Sequence, residues 1–347
     1  MKRDPRALLL VDWVPEKGSL LLESLRKNGL DCDIMGIHFH QSQWTPVRKI
    51  FSHWPKCLWG SLKAFNIRND YDYIIVWQQV MGMFLGLLKR ITFSQSPKIF
   101  ILTAVIVERH NPILERMRRR FVALSLKGVN KIGYMSNGYK RLIQERFNLS
   151  EDQSVHLPFP LVFEKTPEFS GFKPDSYLYS VGLSYRDFAT LMAAAKKSEK
   201  RFVVATTDTF FKNRDIPDNV TVYRNAFGKV ADDLMERAAA VILPLERTSS
   251  PAAEATLISA MCYGKPVIIT KTITTEEYIT DGLDGLLVPW KNPDAILDAI
   301  NFLFSNPEKA AEIGRRARQT VLTTHTMERY SKKIVDIIQS DLRGNSA

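Results

Sequence analysis

The chain has 347 residues, of which 45% are hydrophobic and 24% are charged, and its formal net charge is +11. This composition is typical of a globular protein with two domains, and it excludes the disordered and fibrous classes. The three cysteines contain no CxxC pair, which argues against a disulfide framework or structural zinc and favours a reducing, cytoplasmic location. We recognise no signal peptide and no apolar segment long enough to cross a bilayer.

The positive charge is concentrated in the first half of the chain. Residues 1–160 contain 24 Lys and Arg against 13 Asp and Glu, whereas residues 161–347 contain 24 of each kind. A one-sided excess of this size indicates an anionic partner for the first half. Nucleic acid is not expected to be that partner, because the sequence has no recognised nucleic-acid-binding motif.

Alternating strand and helix patterns in the first half predict a parallel sheet. The apolar runs predict strands at 7–11, 32–37, 73–77, 98–107 and 131–135, and the apolar stripes predict helices at 19–28, 81–89, 113–127 and 139–147. Residues 155–160, with two prolines and a polar stretch after them, predict a linker. We therefore expect one domain at 1–165 and a second at 175–325.

Two stretches of the first half combine apolar or aromatic residues with positive charge. Segment 44–65 holds three of the six tryptophans beside four basic residues, and helix 113–127 carries Arg116, Arg118, Arg119 and Arg120. Both patterns suit the surface of an anionic membrane. An ordinary packed segment and a solvated basic helix face explain them equally well, and the sequence leaves both alternatives open.

The loop after strand 98–107 contains Glu108, Arg109, His110 and Asn111. In open α/β sheets, ligands bind beyond the carboxyl ends of the strands, so His110 and Glu108 are candidate catalytic residues. A purely structural histidine is the alternative. No metal site is predicted, because the Asp70-Tyr71-Asp72 pattern has no further ligand nearby in the sequence.

The second half predicts another α/β series. Strands are expected at 177–181, 202–205, 220–223, 241–243 and 266–270, and helices at 188–196, 230–239, 251–263, 293–303 and 307–322, with a last helix from about 327. The unit at 241–270 is the most informative. Ser250 is a good N-cap for a helix with Pro251 at its first position, and Ser249, Ser250 and Thr256 bring hydroxyl groups to its start. Such a helix end can hold a phosphate, although most strand-to-helix junctions bind nothing.

Three stretches of the second half resemble the nucleotide-sugar domain of GT-B-fold glycosyltransferases, in the family 4-like retaining branch of group 1. They are YSVGLSYRDF at 179–188, EATLISAMCYGKPVI at 254–268 and DGLDGLLVP at 281–289. The resemblance implies an α/β protein with two Rossmann-like domains that face each other across a cleft. It also implies that the terminal helix, about 327–347, crosses back to the N-terminal domain.

The resemblance further implies where a nucleotide-sugar binds. The diphosphate is expected against the start of the helix after strand 241–243, helped by Arg186, and the base near residues 224–227. The donor-binding residues implied in this way are Gly182, Arg186, Phe227, Ser249, Ser250, Glu254, Ala255, Thr256 and Ser259. The chain departs from the family where its paired glutamates, eight positions apart, fall on Pro251 and Ser259, and Glu254 is expected to take over a ribose contact.

The expected activity is a metal-independent, retaining transfer of a sugar from a UDP- or GDP-linked donor. The acceptor is expected to be a polysaccharide or lipid-linked molecule at the inner membrane face, bound by the basic first domain and oriented by His110 with Glu108. No cofactor is needed besides the donor. The alternative is a catalytically inactive nucleotide-binding or partner subunit with the same fold, because the family's glutamate pair is missing.

Overall fold

The computed structural model describes residues 5–13, 19–37, 53–106, 112–163, 165–211, 215–226 and 228–344. The chain divides into two compact units, one formed by residues 1–158 with 327–347 and the other by residues 159–326. Each unit contains a six-stranded sheet whose paired strands all run parallel. Parallel strands joined by helices make each unit Rossmann-like, and the predicted α/β fold class is confirmed.

The sheet of the first unit has the strand order β2-β1-β3-β4-β5-β6. Its strands are β1 Arg6–Val11, β2 Asp31–Gly36, β3 Tyr73–Gln78, β4 Lys98–Thr103, β5 Lys131–Tyr134 and β6 Ser154–His156. The helices are α1 Leu20–Lys27, α2 Trp54–Asn66, α3 Gln79–Ile91, α4 Pro112–Leu126 and α5 Asn137–Phe147, with a 3-10 turn at Arg68–Asp70. Strands β1, β3 and β4 are almost wholly buried, as their continuous apolar runs require for a sheet covered on both faces.

The last helix, α12 Met327–Gly344, belongs to the first unit, as the fold class predicted. Its apolar residues Ile334 and Ile338 are fully buried in the same core cluster as Leu25 of α1. Near its end, the Asp341 carboxylate pairs with Lys98 at 2.6 Å and with Lys131 at 3.6 Å. These contacts fix the final helix on a sheet that is formed more than 170 residues earlier in the chain.

The sheet of the second unit has the order β12-β11-β10-β7-β8-β9. Its strands are β7 Leu178–Val181, β8 Phe202–Thr206, β9 Val220–Arg224, β10 Ala240–Leu243, β11 Val267–Thr270 and β12 Leu286–Val288. The helices are α6 Phe188–Ala195, α7 Asp208–Phe211, α8 Lys229–Arg237, α9 Glu254–Cys262, α10 Pro293–Ser305 and α11 Pro307–Thr324, with a 3-10 turn at Thr275–Glu277. Strands β7 and β10 lie side by side at its centre, paired at Ala240 with Leu178 and at Val241 with Tyr179.

In the first unit, the structure differs from two of the predicted elements. Residues 155–160 were expected to be a linker, and the two units divide within them, between Pro158 and Phe159. However, Ser154–His156 forms β6, which pairs with β5 between Ile132 and Ser154 and at the following positions. A short strand followed by proline resembles a linker in the sequence, because the strand that it pairs with lies elsewhere in the chain. The strand expected at 98–107 ends at Thr103, although Ala104 and Ile106 are also buried.

Candidate functional site

The loops that follow β7 and β10 contact each other directly. The backbone N–H of Asp187 donates to the carbonyl of Pro244 at 3.0 Å, and the N–H of Glu246 donates to the carbonyl of Tyr185, also at 3.0 Å. Arg186 and Leu245 form an antiparallel bridge between them. The structure therefore brings the loop of Arg186 and the loop that leads into α9 together, as the sequence analysis required.

Arg186 lies beneath this pair of loops and is only 7% exposed. Its Nε donates to the carbonyl of Val181 at 3.0 Å, and its Nη1 donates to the carbonyl of Ser184 at 3.0 Å. Burial lowers the pKa of Arg186 to about 10, and the charge of nearby Glu254 opposes that fall. The guanidinium thus stays positively charged at neutral pH and holds its own loop in shape, while the phosphate contact expected of it stays a prediction.

The start of α9 differs from the prediction. Ser250 was expected to cap a helix with Pro251 as its first residue, but α9 begins at Glu254 with Ala253 at the N-cap position. Ala253 has a φ of 82°, which a helical residue cannot adopt. Ser250 instead donates its N–H to the Thr248 hydroxyl at 3.0 Å, so the chain turns once more before the helix starts.

Glu254 closes the first turn of α9 with its own side chain. The residue is 5% exposed, and its Oε1 accepts the N–H of Ala252 at 2.9 Å. Burial raises the pKa of Glu254 to about 7, although hydrogen bonds from the N–H groups of Glu254 and Ala252 and the charge of Arg186 act in the opposite direction. The carboxyl group of Glu254 is therefore more readily protonated near neutral pH than an ordinary glutamate.

The next two amide groups of α9 are available to a ligand. Within the described residues, the N–H groups of Ala255 and Thr256 donate no hydrogen bond, and the first intrahelical bond is donated by Leu257 to Ala253. Ala255 is exposed and Thr256 half-buried. Free N–H groups and the positive end of the helix dipole favour an anion at this point, with Arg186 supplying further positive charge below it.

The other residues predicted for the donor lie at different depths around this helix end. Ser249 is exposed, Ser259 is half-buried, and Ser250 is 8% exposed. The sequence analysis missed Thr270, whose buried hydroxyl accepts the N–H of Leu245 at 2.9 Å and so supports the loop from the neighbouring strand. A threonine at the carboxyl end of a buried strand was the only signal for it.

Several predicted residues lie outside the described part of the chain. Glu108 and His110 are among them, as are Phe227 and positions 44–52 of the segment 44–65. The four predicted arginines lie on α4, where Arg118 is bound to Glu115 at 2.8 Å and the others are exposed.

Across the described ranges, no group of three or more His, Cys, Asp or Glu side chains could hold a metal ion, and no helix is long and apolar enough to cross a membrane.

The loop after β10 and helix α9 lie in a segment that matches a known family, whereas β7 and Arg186 lie before that segment. Residues 204–320 match the model of the family described as Glycosyl transferases group 1, from within β8 to within α11. This part of the chain is similar to a group 1 glycosyltransferase domain. The match covers β10, the loop after it and the whole of α9, and it confirms the resemblance predicted from the sequence.

A curated relative supports this assignment over a shorter stretch. The D-rhamnosyltransferase WbpZ of Pseudomonas aeruginosa is 34% identical to the chain over 95 residues, which are 26% of this chain and 25% of WbpZ. The chain therefore aligns with about a quarter of the length of that relative.

Solved structures with a similar fold cover nearly the whole chain. Sucrose-phosphate synthase from Thermosynechococcus elongatus superposes with a TM-score of 0.73 at 14% identity, covering 99% of this chain and 100% of that one. HepE from Anabaena, in complex with UDP-glucose, has a TM-score of 0.65 at 13% identity and covers 97% of this chain and 100% of its own. Structural similarity at 13–14% sequence identity shows the fold alone, and that fold is GT-B.

Proposed function

We propose that the protein transfers a sugar from a UDP- or GDP-linked donor to a polysaccharide or lipid-linked acceptor. The observation that carries the proposal is the pair of free amide groups, Ala255 and Thr256, at the start of α9 within the segment similar to a group 1 glycosyltransferase domain. The WbpZ relative is a D-rhamnosyltransferase, and the HepE structure contains UDP-glucose. Both are consistent with a nucleotide-sugar donor here.

The diphosphate of the donor would lie against the first turn of α9. Negative charge grows on this group as the bond to the sugar breaks, and fixed positive dipoles aimed at that charge lower the barrier. Ala255 and Thr256 supply the N–H donors, and the buried Arg186 supplies a positive charge that needs no solvent reorganisation. We assign no metal to the reaction, since these groups perform the charge stabilisation that a metal performs elsewhere.

The acceptor would be held by the basic first unit and attack from the face that the diphosphate leaves, which retains the configuration of the sugar. In that geometry the departing diphosphate can accept the proton of the attacking hydroxyl, so a strong protein base is unnecessary. We propose that His110 and Glu108 orient the acceptor. An anionic acceptor explains why the excess of Lys and Arg is confined to residues 1–160.

A screen of UDP- and GDP-linked sugars for hydrolysis or transfer by the purified protein tests the proposal. The informative variant is Ala255→Asp, because an acid in the first turn of a helix supports folding but repels a diphosphate. Asn301→Asp adds the same charge at an exposed position of α10 and is the matched control. We expect turnover to fall at least about tenfold in Ala255→Asp only; equal turnover in all three proteins would contradict the assignment of the site.

A catalytically inactive subunit remains the second candidate, because Pro251 and Ser259 stand where the family has its glutamate pair. This candidate predicts that UDP or GDP raises the melting temperature of the protein while every tested donor stays intact. Hydrolysis of any donor, removed by Ala255→Asp, would eliminate it.

A further inference from the structure

The first unit exposes an unusual number of large apolar side chains on neighbouring helices. Ten of the 19 such side chains among the described residues lie between positions 54 and 126. They are Trp54, Leu58, Trp59, Leu62, Ile91, Phe93, Ile113, Leu114, Met117 and Leu124. Soluble surfaces scatter exposed apolar residues singly, so a concentration of this kind marks an interaction surface.

Helix α4 arranges these residues in a stripe beside a stripe of arginines. Ile113 and Met117 are 72% and 65% exposed and lie one turn apart, while Arg116, Arg119 and Arg120 lie next to them at helical spacing. Both stripes point away from the buried side, where Val122 packs into the core. An apolar stripe bordered by basic residues on one solvent-facing surface is the pattern of a helix that lies in a membrane interface.

Helix α2 repeats the pattern with aromatic residues. Trp59 is 53% exposed, and the ammonium group of Lys63 lies 3.6 Å from the centre of its ring. The ring of Trp54 is 6.0 Å from that of Phe84 on α3 and 5.9 Å from that of Phe121 on α4. These contacts join the three helices, so the exposed sides of α2 and α4 belong to one packed layer.

The charge of this surface is positive and largely unpaired. Arg116, Arg119 and Arg120 form no ion pair within the described ranges, and α2 contains no acidic residue. The single acid of α4, Glu115, already accepts two hydrogen bonds from Arg118, at 2.9 and 2.8 Å. The same three arginines line an open recess with Arg146 of α5 and with Glu115, so four cationic side chains and one carboxylate border it and the balance favours a phosphate group.

We propose that the outer sides of α2 and α4, here called the basic-apolar face, dock on the surface of an anionic lipid bilayer. The apolar side chains enter the boundary between headgroups and acyl chains, and the arginines bind lipid phosphates. Neither contribution is sufficient alone, since stable anchoring of a peripheral protein combines burial of apolar area with electrostatic attraction. The proposal goes beyond sugar transfer and is tested without any donor, so its failure would leave the proposed activity intact.

Co-sedimentation of the full chain with vesicles tests the proposal. The vesicles contain either phosphatidylcholine alone or an equimolar mixture with phosphatidylglycerol. We expect binding to the anionic vesicles only, and a weaker interaction when the salt concentration rises from about 0.1 M to about 1 M, because the Debye length falls from about 10 Å to about 3 Å. Equal binding to both vesicles, or no binding to either, would overturn the proposal.

A matched pair of variants locates the binding surface. Arg116→Gln/Arg119→Gln/Arg120→Gln removes three charges from α4, and Lys309→Gln/Arg315→Gln/Arg316→Gln removes three from exposed positions of α11 in the second unit. An arginine near an anionic bilayer contributes about fivefold to binding, so we expect a loss of at least about tenfold in the first variant. Equal losses of vesicle binding in both variants would show that only the net charge of the protein matters. That result would contradict the assignment of binding to the basic-apolar face.

The apolar contribution and a competing partner need separate measurements. Met117→Ser/Leu124→Ser keeps every arginine, and we expect it to bind the anionic vesicles more weakly than the unchanged protein at about 0.1 M salt, because both contributions are needed. If that variant binds as the unchanged protein does, apolar insertion is wrong. If a single-stranded oligonucleotide displaces the protein from the anionic vesicles at low concentration, the face binds nucleic acid and the lipid assignment is contradicted.

Discussion

The guanidinium of Arg186 lies against the backbone of Gly182, where a Cβ atom would fall 2.5 Å from Nε and 2.6 Å from Cζ. Gly182 also has a φ of 144°, in the region that only glycine adopts without strain. The absence of a side chain at Gly182 is therefore what allows a buried cation beneath the loop after β7.

Gly182→Ala is expected to displace the guanidinium and to weaken nucleoside diphosphate binding, with a loss of about 1–3 kcal/mol in the free energy of unfolding. Gly282→Ala is the control, because Gly282 also has a positive φ, of 73°, but nothing lies within 4 Å of the added Cβ. Urea unfolding and titration with UDP measure the two effects. If Gly282→Ala weakens UDP binding as much as Gly182→Ala does, contact with Arg186 is not the cause.

The stability of the protein should depend on the ionisation of Glu254. Burial raises the pKa of this carboxyl from 4.5 to about 7, so between these values the folded state binds more protons than the unfolded state. The free energy of unfolding therefore falls as the pH rises through this window, and the contribution is fully present only below pH 4.5.

Glu254→Gln should remove this dependence while keeping the oxygen that accepts the N–H of Ala252. We expect the variant to be more stable than the unchanged protein at about pH 8, by on the order of 1–3 kcal/mol, and similar to it at about pH 5. Urea unfolding at both pH values is the measurement. Stability curves that stay parallel across the window would show that Glu254 does not titrate there.

Nucleotide binding should be coupled to the same carboxyl group. A diphosphate at Ala255 and Thr256 brings negative charge close to Glu254, which raises the pKa of that group further. Binding near neutral pH is then expected to take up a fraction of a proton. Calorimetric titrations with UDP in buffers of different ionisation enthalpy measure this uptake, and it should vanish in Glu254→Gln. An unchanged uptake in that variant would assign the proton to another group.

Asp341 is expected to be important for the stability of the first unit. Burial raises the pKa of Asp341, but hydrogen bonds from Lys98 and Tyr73 and the charges of Lys98 and Lys131 outweigh it, so the pKa lies below its ordinary value of 3.8. The carboxylate therefore stabilises the fold above that value, and the contribution is lost as the pH falls through the lower, folded-state pKa.

Asp341→Asn should lower the free energy of unfolding by about 2 kcal/mol, because it weakens a partly buried cluster. Asp336→Asn on the same helix is the control, since Asp336 pairs with Lys332 at 3.3 Å while both side chains are more than half exposed. Such a surface pair contributes at most about 1 kcal/mol. Equal effects of the two substitutions at neutral pH would contradict the role of the cluster.

The sequence predicted the parallel sheets well because buried parallel strands leave continuous apolar runs. Residues 7–11 and 73–77 fall within β1 and β3. The failures concern features that a local apolar pattern does not show. The strand Ser154–His156 is defined by pairing with β5, and the true start of α9 depends on the left-handed Ala253 and the buried Glu254.

The site itself was only partly predictable. The family motifs pointed to the loops after β7 and β10, and the structure shows that these two loops contact each other. The burial of Arg186 could not be predicted, since the hydrogen bonds that hold it go to backbone carbonyls of Val181 and Ser184. The spacing of the apolar residues predicted helix α4 correctly. That spacing does not show whether the apolar residues are buried, and Ile113 and Met117 are exposed.

The most direct test of the donor site is calorimetric binding of UDP and GDP to three proteins: the unchanged chain, Ala255→Asp and Asn301→Asp. Our account predicts that at least one of the nucleotides binds the unchanged chain and Asn301→Asp with the same affinity. Binding to Ala255→Asp should be at least about tenfold weaker, although that variant is as stable as the unchanged chain. If Ala255→Asp binds the nucleotide as tightly as the unchanged chain, the start of α9 is not where the diphosphate lies.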